Sequence, residues 1–294
     1  VNHDGGAADR VRRLRRRFRP RTRPRVQGQS FNRLIPNIMT MLGLCCGLVA
    51  IRFGFEGRFD LAATLILVAG VIDGLDGRLA RLLKATSRFG AEFDSLSDFL
   101  CFGVAPAMLL YLWTMHDFRS LGFAPCLLFA VCMALRLARF NAALDVGPAV
   151  KPAYTASFFT GVPAPAGAGC VLFPMFLWLW LDQMGWTTLA SMVRHPAFVG
   201  PVMVLVAGLL VSTLPTWSFK NFRVPRDYVL PLLLGTGMFV AVLLAEPWAA
   251  LAFASLGYLA MLPFSVRSYL RLKREAESLI EPVVVADNTR NGAG

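Results

Sequence analysis

Residues 61–81 read LAATLILVAGVIDGLDGRLAR. An uncharged run from Leu61 to Ile72 leads straight into Asp73, Asp76, Arg78 and Arg81. The next apolar segment has the reverse layout: Gly90, Asp94 and Asp98 come first, and Phe99 to Trp113 carries no charge. An ionised carboxylate in or beside a membrane-length apolar segment is costly unless it finds a partner. Four of them in two adjacent segments point to bound divalent metal or to proton chemistry.

Composition sets the environment of these acids. Of 294 residues, 56% are hydrophobic and only 16% charged, against about a quarter charged in a soluble domain. Mean hydropathy is +0.55. Eight segments fit helical spans: 35–53, 60–83, 90–113, 123–141, 157–181, 198–214, 228–244 and 248–265. The expected fold is all-α, a polytopic membrane protein with about eight transmembrane helices. Residues 1–30 form a basic arm that reads as disordered, residues 31–265 the transmembrane domain, and residues 266–294 a polar tail that begins as a helical extension. The six cysteines lie in apolar segments without metal-ligand spacing and read as small hydrophobes.

Charge fixes the expected orientation. With both termini on the same side, the arm, the loop near 78–90, the stretch 136–156, the loop 214–227 and the tail hold 26 of the 30 Lys and Arg. Such an excess marks the cytoplasmic side. Both termini are then cytoplasmic, and the four acids lie at the cytoplasmic interface. Eleven arginines between Arg10 and Arg33 suit a tail near anionic lipid better than a nucleic-acid site.

Asp73 and Asp76 are three residues apart, and Asp94 and Asp98 four, so each pair shares a helix face. The short connection between the two segments makes them antiparallel neighbours, and the pairs can face each other. Mg2+ or Mn2+ would relieve the repulsion and leave positions for phosphate oxygen; two ions could polarise a phosphoryl group and stabilise a leaving phosphate. Gly77 clears space beside the helix backbone. Arg81, four residues on, could hold a diphosphate through paired hydrogen bonds. The plainer reading pairs each acid with Arg78, Arg81, Lys84 or Arg88.

Asp73, Asp76, Gly77, Ala80, Arg81, Gly90, Asp94 and Asp98 meet in full the pattern Asp-x2-Asp-Gly-x2-Ala-Arg-x8-Gly-x3-Asp-x3-Asp. In this the chain resembles the CDP-alcohol phosphatidyltransferases. The resemblance implies transfer of a phosphatidyl group from a CDP-lipid to an alcohol, with release of CMP. It implies that Asp73, Asp76, Asp94 and Asp98 ligate two Mg2+ or Mn2+ ions and that Asp98 is the general base. It places Gly77 and Arg81 on the diphosphate, Ser87 on the CDP-lipid, and Asn37 and Thr40 on the nucleotide side. Gly43 stands where relatives often carry Asn, and Cys101 where Ser is common.

Segments 136–141, 161–166 and 212–220 are similar to the membrane-embedded branch of the family that uses CDP-diacylglycerol and L-serine. That likeness implies a homodimer in the inner membrane of a bacterium. It makes Arg136, Arg139, Asn141 and Lys220 candidate acceptor contacts. Arg136 and Arg139 share a helix face and could hold a phosphate or a carboxylate; equally, they could anchor topology. For Lys220 anchoring is the simpler reading. Pro163 and Pro165 are expected to bend span 157–181, and Gly161, Gly167 and Gly169 to allow close packing or a lipid-accessible cavity. Alternatives are the same chemistry on glycerol 3-phosphate, inositol phosphate or choline and, more distantly, an ion-coupled transporter, which would place its acids near the bilayer midplane.

Overall fold

A computed structural model describes residues 31–145, 158–212, 215–217 and 226–291. The arm over residues 1–30 and Lys220 lie outside these residues.

Helix α1 (Phe31–Phe55) turns at Gly57, whose φ of +72° suits a residue without Cβ, into α2 (Phe59–Leu82). These two pack along their length. After Leu83, Lys84 adopts a left-handed conformation, and Ser87 caps α3 (Arg88–Asp98) by accepting from the Gly90 amide at 2.9 Å. The helix then widens to a π-helical segment, Phe99–Val104, and continues as α4 (Ala105–Trp113). A short 3-10 turn, Met115–Phe118, leads to α5 (Arg119–Asp145).

Span 157–181 starts later than its composition suggests. Phe158–Thr160 is a short strand, β1, and the helix α6 runs Ala164–Gln183. Pro163 is its N-cap and Pro165 lies in its first turn, where no intrahelical donor is lost. The two prolines therefore start the helix instead of bending it. Gly161 is a turn residue with φ +80°. Gly167 does serve close packing, since a Cβ there would come within 2.7 Å of Leu210.

Span 198–214 is likewise part of a broken element. The short amphipathic α7 (Thr187–Arg194) meets α8 (Pro196–Val211) at 51°. His195 makes the break and caps α8 through its ring nitrogen. Strand β2 (Pro215–Trp217) pairs antiparallel with β1, Phe158 opposite Trp217. Helices α9 (Arg226–Ala245) and α10 (Pro247–Asn291) follow. The tail continues the last helix without a break through Asn291; at 45 residues α10 is about 67 Å long, more than twice a bilayer's hydrocarbon core.

Apart from the three-residue ribbon, the described chain is all-α. Among the described residues, six helical segments are long and apolar enough to cross a membrane, or seven if α7 and α8 form one span. The expected count of eight is not reached on this measure. The one left over is α2, whose last third carries Asp73, Asp76, Arg78 and Arg81. The core joins α2 to α6 and α8 around fully buried Phe102, Trp113, Phe129 and Phe176. Outward faces are apolar too, as in α9, whose leucines are exposed; lipid is the natural solvent for them.

A tight helix contact lies under the acids. A Cβ on Gly47 of α1 would come within 2.8 Å of Cys101 Sγ and 2.9 Å of Leu100. Gly47→Val is expected to cost about 1–3 kcal/mol, read as a lower Tm in detergent. An unchanged Tm would show that α1 and the π-helical segment can part freely.

Candidate active site

Three helices build the site. Asp73 and Asp76 come from the last turns of α2, Asp94 and Asp98 from α3, and Thr40 from α1. One carboxylate oxygen from each of Asp73, Asp76 and Asp94 can be chosen so that all lie within 4.8 Å of one another. Asp98 lies beside this group, lining one small cavity with Asp73 and Asp76. No ion pair involves any of the four among the described residues; those present join Arg52 and Arg58 to Glu56, and His116 to Asp117. The pairing with Arg78, Arg81, Lys84 or Arg88 is therefore not made. Hard oxygen donors in a cluster without a basic partner suit a divalent cation.

Asp76 is only 3% exposed. Thr40 holds it, donating from Oγ1 to Asp76 Oδ2 at 2.7 Å, with the Pro36 carbonyl also within reach at 3.1 Å. Ser97 Oγ in turn donates to the Thr40 carbonyl at 3.3 Å, and Cys101 Sγ to the Gly43 carbonyl at 3.3 Å. These bonds tie α1 to α3 and to the π-helical segment directly behind the acids. π-Helical turns often occur at functional sites, and nothing in the sequence signals this one. Gly43 adjoins the acids, and a Cβ there would meet Ile72 only at ordinary contact, 3.6 Å.

A cleft of about 370 Å³ opens beside the acids. Asn37, Thr40, Asp76, Gly77, Arg81, Ser87, Gly90 and Asp94 all line it. The sequence-predicted nucleotide, diphosphate and lipid contacts thus share one cavity with two of the acids. Gly77 is open, with only the Arg81 guanidinium near its missing Cβ, at 3.7 Å. Gly90 is tight: a Cβ would stand 3.0 Å from Asn37 Oδ1 and 3.1 Å from Ser87 Oγ. Ser87 has a second role that the sequence reading did not assign, as the N-cap of α3.

The candidate acceptor residues sort differently. Arg139 donates to the carbonyls of Val211 at 2.9 Å and Ser212 at 3.3 Å. Asn141 donates to Ser95 Oγ at 2.9 Å, linking α5 to α3. Both are committed to the scaffold. Arg136 gives its Nε to the Val162 carbonyl, and its terminal nitrogens have no hydrogen-bond partner among the described residues. With Asn141 against Ser95 and Met133 against Gly103, Arg136 comes to the level of the junction between α3 and the π-helical segment, where Asp98 lies. Segments 136–141, 161–166 and the start of 212–220 thus meet at one corner, pinned by two arginines and the β1–β2 ribbon.

The family of this helical chain is shown by its likeness to known proteins. The model of the CDP-alcohol phosphatidyltransferases matches residues 33–198, and a second model of that description, CDP-alcohol phosphatidyltransferase 2, matches residues 227–263. The chain is 39% identical to a CDP-diacylglycerol–serine O-phosphatidyltransferase of Mycobacterium leprae, over 88% of this chain and 82% of the relative. Proteins of the same description from Mycobacterium tuberculosis and Helicobacter pylori are 38% and 32% identical, over 83% and 74% of this chain and 82% and 85% of the relatives. The chain belongs to the CDP-alcohol phosphatidyltransferase family.

Partners behind metal ligands typically contribute about 10- to 100-fold in metal affinity. Thr40→Val keeps the side-chain shape and removes the donor to Asp76. It is expected to weaken Mn2+ binding about tenfold, measured by electron paramagnetic resonance of the solubilised protein. Equal affinity in the variant would mean that Asp76 does not depend on Thr40 for its placement.

Proposed function

We propose that the protein transfers the phosphatidyl group of CDP-diacylglycerol to the hydroxyl of L-serine, giving phosphatidylserine and CMP. The observation that carries this reading is the cleft: the motif's Gly77, Arg81, Asp76 and Asp94 line it together with Asn37, Thr40 and Ser87. The names borne by the Mycobacterium and Helicobacter relatives support serine as the acceptor.

Asp73, Asp76 and Asp94 would hold Mg2+ or Mn2+, as one ion or two, with Asp98 completing the set. Bound there, the metal would neutralise phosphoryl oxygens and the charge on the departing phosphate. Arg81 takes the diphosphate from the cleft side, and Gly77 lets that group approach the α2 backbone. Asn37 and Thr40 face the nucleotide, and Ser87 the lipid phosphate. Asp98 accepts the proton from the serine hydroxyl as its oxygen attacks the lipid-side phosphorus and the bond to the CMP oxygen breaks. A carboxylate is a weak base, so positioning by α3 and the π-helical segment behind it supplies part of the acceleration.

Arg136 favours an acceptor that carries one carboxylate. Its terminal nitrogens form a single available fork, which matches two carboxylate oxygens. A phosphorylated acceptor would call for further cations, and neighbouring Arg139 is committed to two backbone carbonyls.

In this reading α2 also crosses the membrane, as one of eight spans: its 24 residues reach about 36 Å, and its charges sit at one end. The excess of Lys and Arg supports cytoplasmic termini in a bacterial inner membrane, so that water-soluble serine and CMP exchange with the cytoplasm. Residues 31–265 form the catalytic unit.

Asp98→Asn in reconstituted protein is expected to abolish CMP release while CDP-lipid binding stays measurable; near-normal turnover would remove Asp98 as the base. With wild-type protein, serine is expected to release CMP where glycerol 3-phosphate, inositol phosphate and choline do not. Preference for any of those would reassign the acceptor.

A further inference from the structure

Tyr258 is absent from the motif and from the three segments that suggest the acceptor. It lies on α10, half-buried against the core. Ser255 Oγ donates to the Gly169 carbonyl at 3.1 Å, which fixes the rotation of α10 against α6. Tyr258, three residues on, shares that inward face. Its hydroxyl oxygen is shut off from solvent and has no hydrogen-bond partner among the described residues. A buried hydroxyl without a partner is unfavourable, and in folded proteins such groups are few and call for an explanation.

Its surroundings supply one. Trp248 stacks on Phe176 and Ser255 bonds to Gly169, so α10 runs antiparallel to α6 and Tyr258 comes toward the start of α6, where the Val162 carbonyl holds Arg136. The guanidinium keeps its terminal nitrogens, since Nε alone is spent on the Val162 carbonyl. One phenol donor and one cationic fork make up a set of donors without an acceptor of their own. A carboxylate is the ligand that satisfies both. In serine, two carbons separate the carboxylate carbon from the reacting hydroxyl oxygen. A molecule that short can offer its hydroxyl to Asp98 while its carboxylate stays near Arg136.

We infer that the Tyr258 hydroxyl and the terminal nitrogens of Arg136 together receive the carboxylate of the acceptor, which makes Tyr258 a specificity residue for that substrate. The inference rests on the serine reading and adds to it the part of the site contributed by α10. Tyr258 donates one hydrogen bond to a carboxylate oxygen, and no bond is made or broken there.

Tyr258→Phe in the full chain, reconstituted in vesicles that contain CDP-diacylglycerol, tests it. The ring still fills its space. KM for serine is expected to rise about tenfold, the scale of losing a hydrogen bond to a charged group. KM for CDP-diacylglycerol and Tm are expected to stay put. The preference for serine over serinol, which lacks the carboxylate, should fall by the same factor. Tyr258→His, which restores a donor, should recover part of the loss. An unchanged serine KM in Tyr258→Phe overturns the inference, and so does a parallel rise in both KM values with a lower Tm, the mark of a packing role. Wild-type protein that releases CMP only with another acceptor overturns the serine reading itself, and this inference with it.

Discussion

Carboxylates from α2 and α3 converge at one end of an apolar bundle, with no basic side chain paired to them among the described residues. Low dielectric strengthens both their repulsion and any attraction to a cation. That constraint explains the construction around them. Asp76, the most deeply buried, is held by Thr40 from a third helix. Ser97 and Cys101 anchor to carbonyls of α1, so the wall behind the acids is cross-linked by polar contacts inside an apolar core. Gly47 lets α1 approach the π-helical segment closely enough for those contacts to form. A site of this kind is poised to bind an ion because its own donors leave the charge uncompensated.

The cleft and the corner around Arg136 are built by different means. The cleft is local: Gly77, Arg81, Ser87 and Gly90 lie within fourteen residues, and a tight turn through Lys84 folds them together with α1. The corner is assembled from afar. Arg136 and Arg139 on α5 donate to carbonyls at the start of α6 and the end of α8, and a short ribbon joins the strands there. Burying those carbonyls without donors would be costly, and the arginines remove that cost. Their service to the scaffold explains why two neighbouring arginines, alike in sequence, differ in what they leave available for a ligand.

Much of this was legible in residues 73–98. Spacing places each pair of acids on a helix face, and the adjoining apolar runs place them toward one end of their helices. The all-α class followed from composition. Where sequence misled, the cause is physical. Pro163 and Pro165 break a helix interior but are welcome in a first turn, and hydropathy does not tell the two apart. Composition marks 198–214 as a span, which α8 fills as far as Val211, but does not announce α7, the short helix that His195 sets at an angle to it. Arg139 and Asn141 are bonded to backbone carbonyls and to Ser95, contacts that no spacing in the sequence announces.

The sequence by itself determined the chemistry of the donor set, because eight motif positions at fixed spacing specify which atoms share a face. It also determined that the chain is a helical membrane protein, since apolar length and charge placement are properties of the linear chain. Only the tertiary structure decided which polar groups remain available. The release of Arg136's terminal nitrogens, the π-helical widening after Asp98 and the unpartnered hydroxyl of Tyr258 depend on contacts between residues far apart in the chain. No local pattern encodes them, because a hydrogen bond is won or lost by whichever group arrives within about 3 Å.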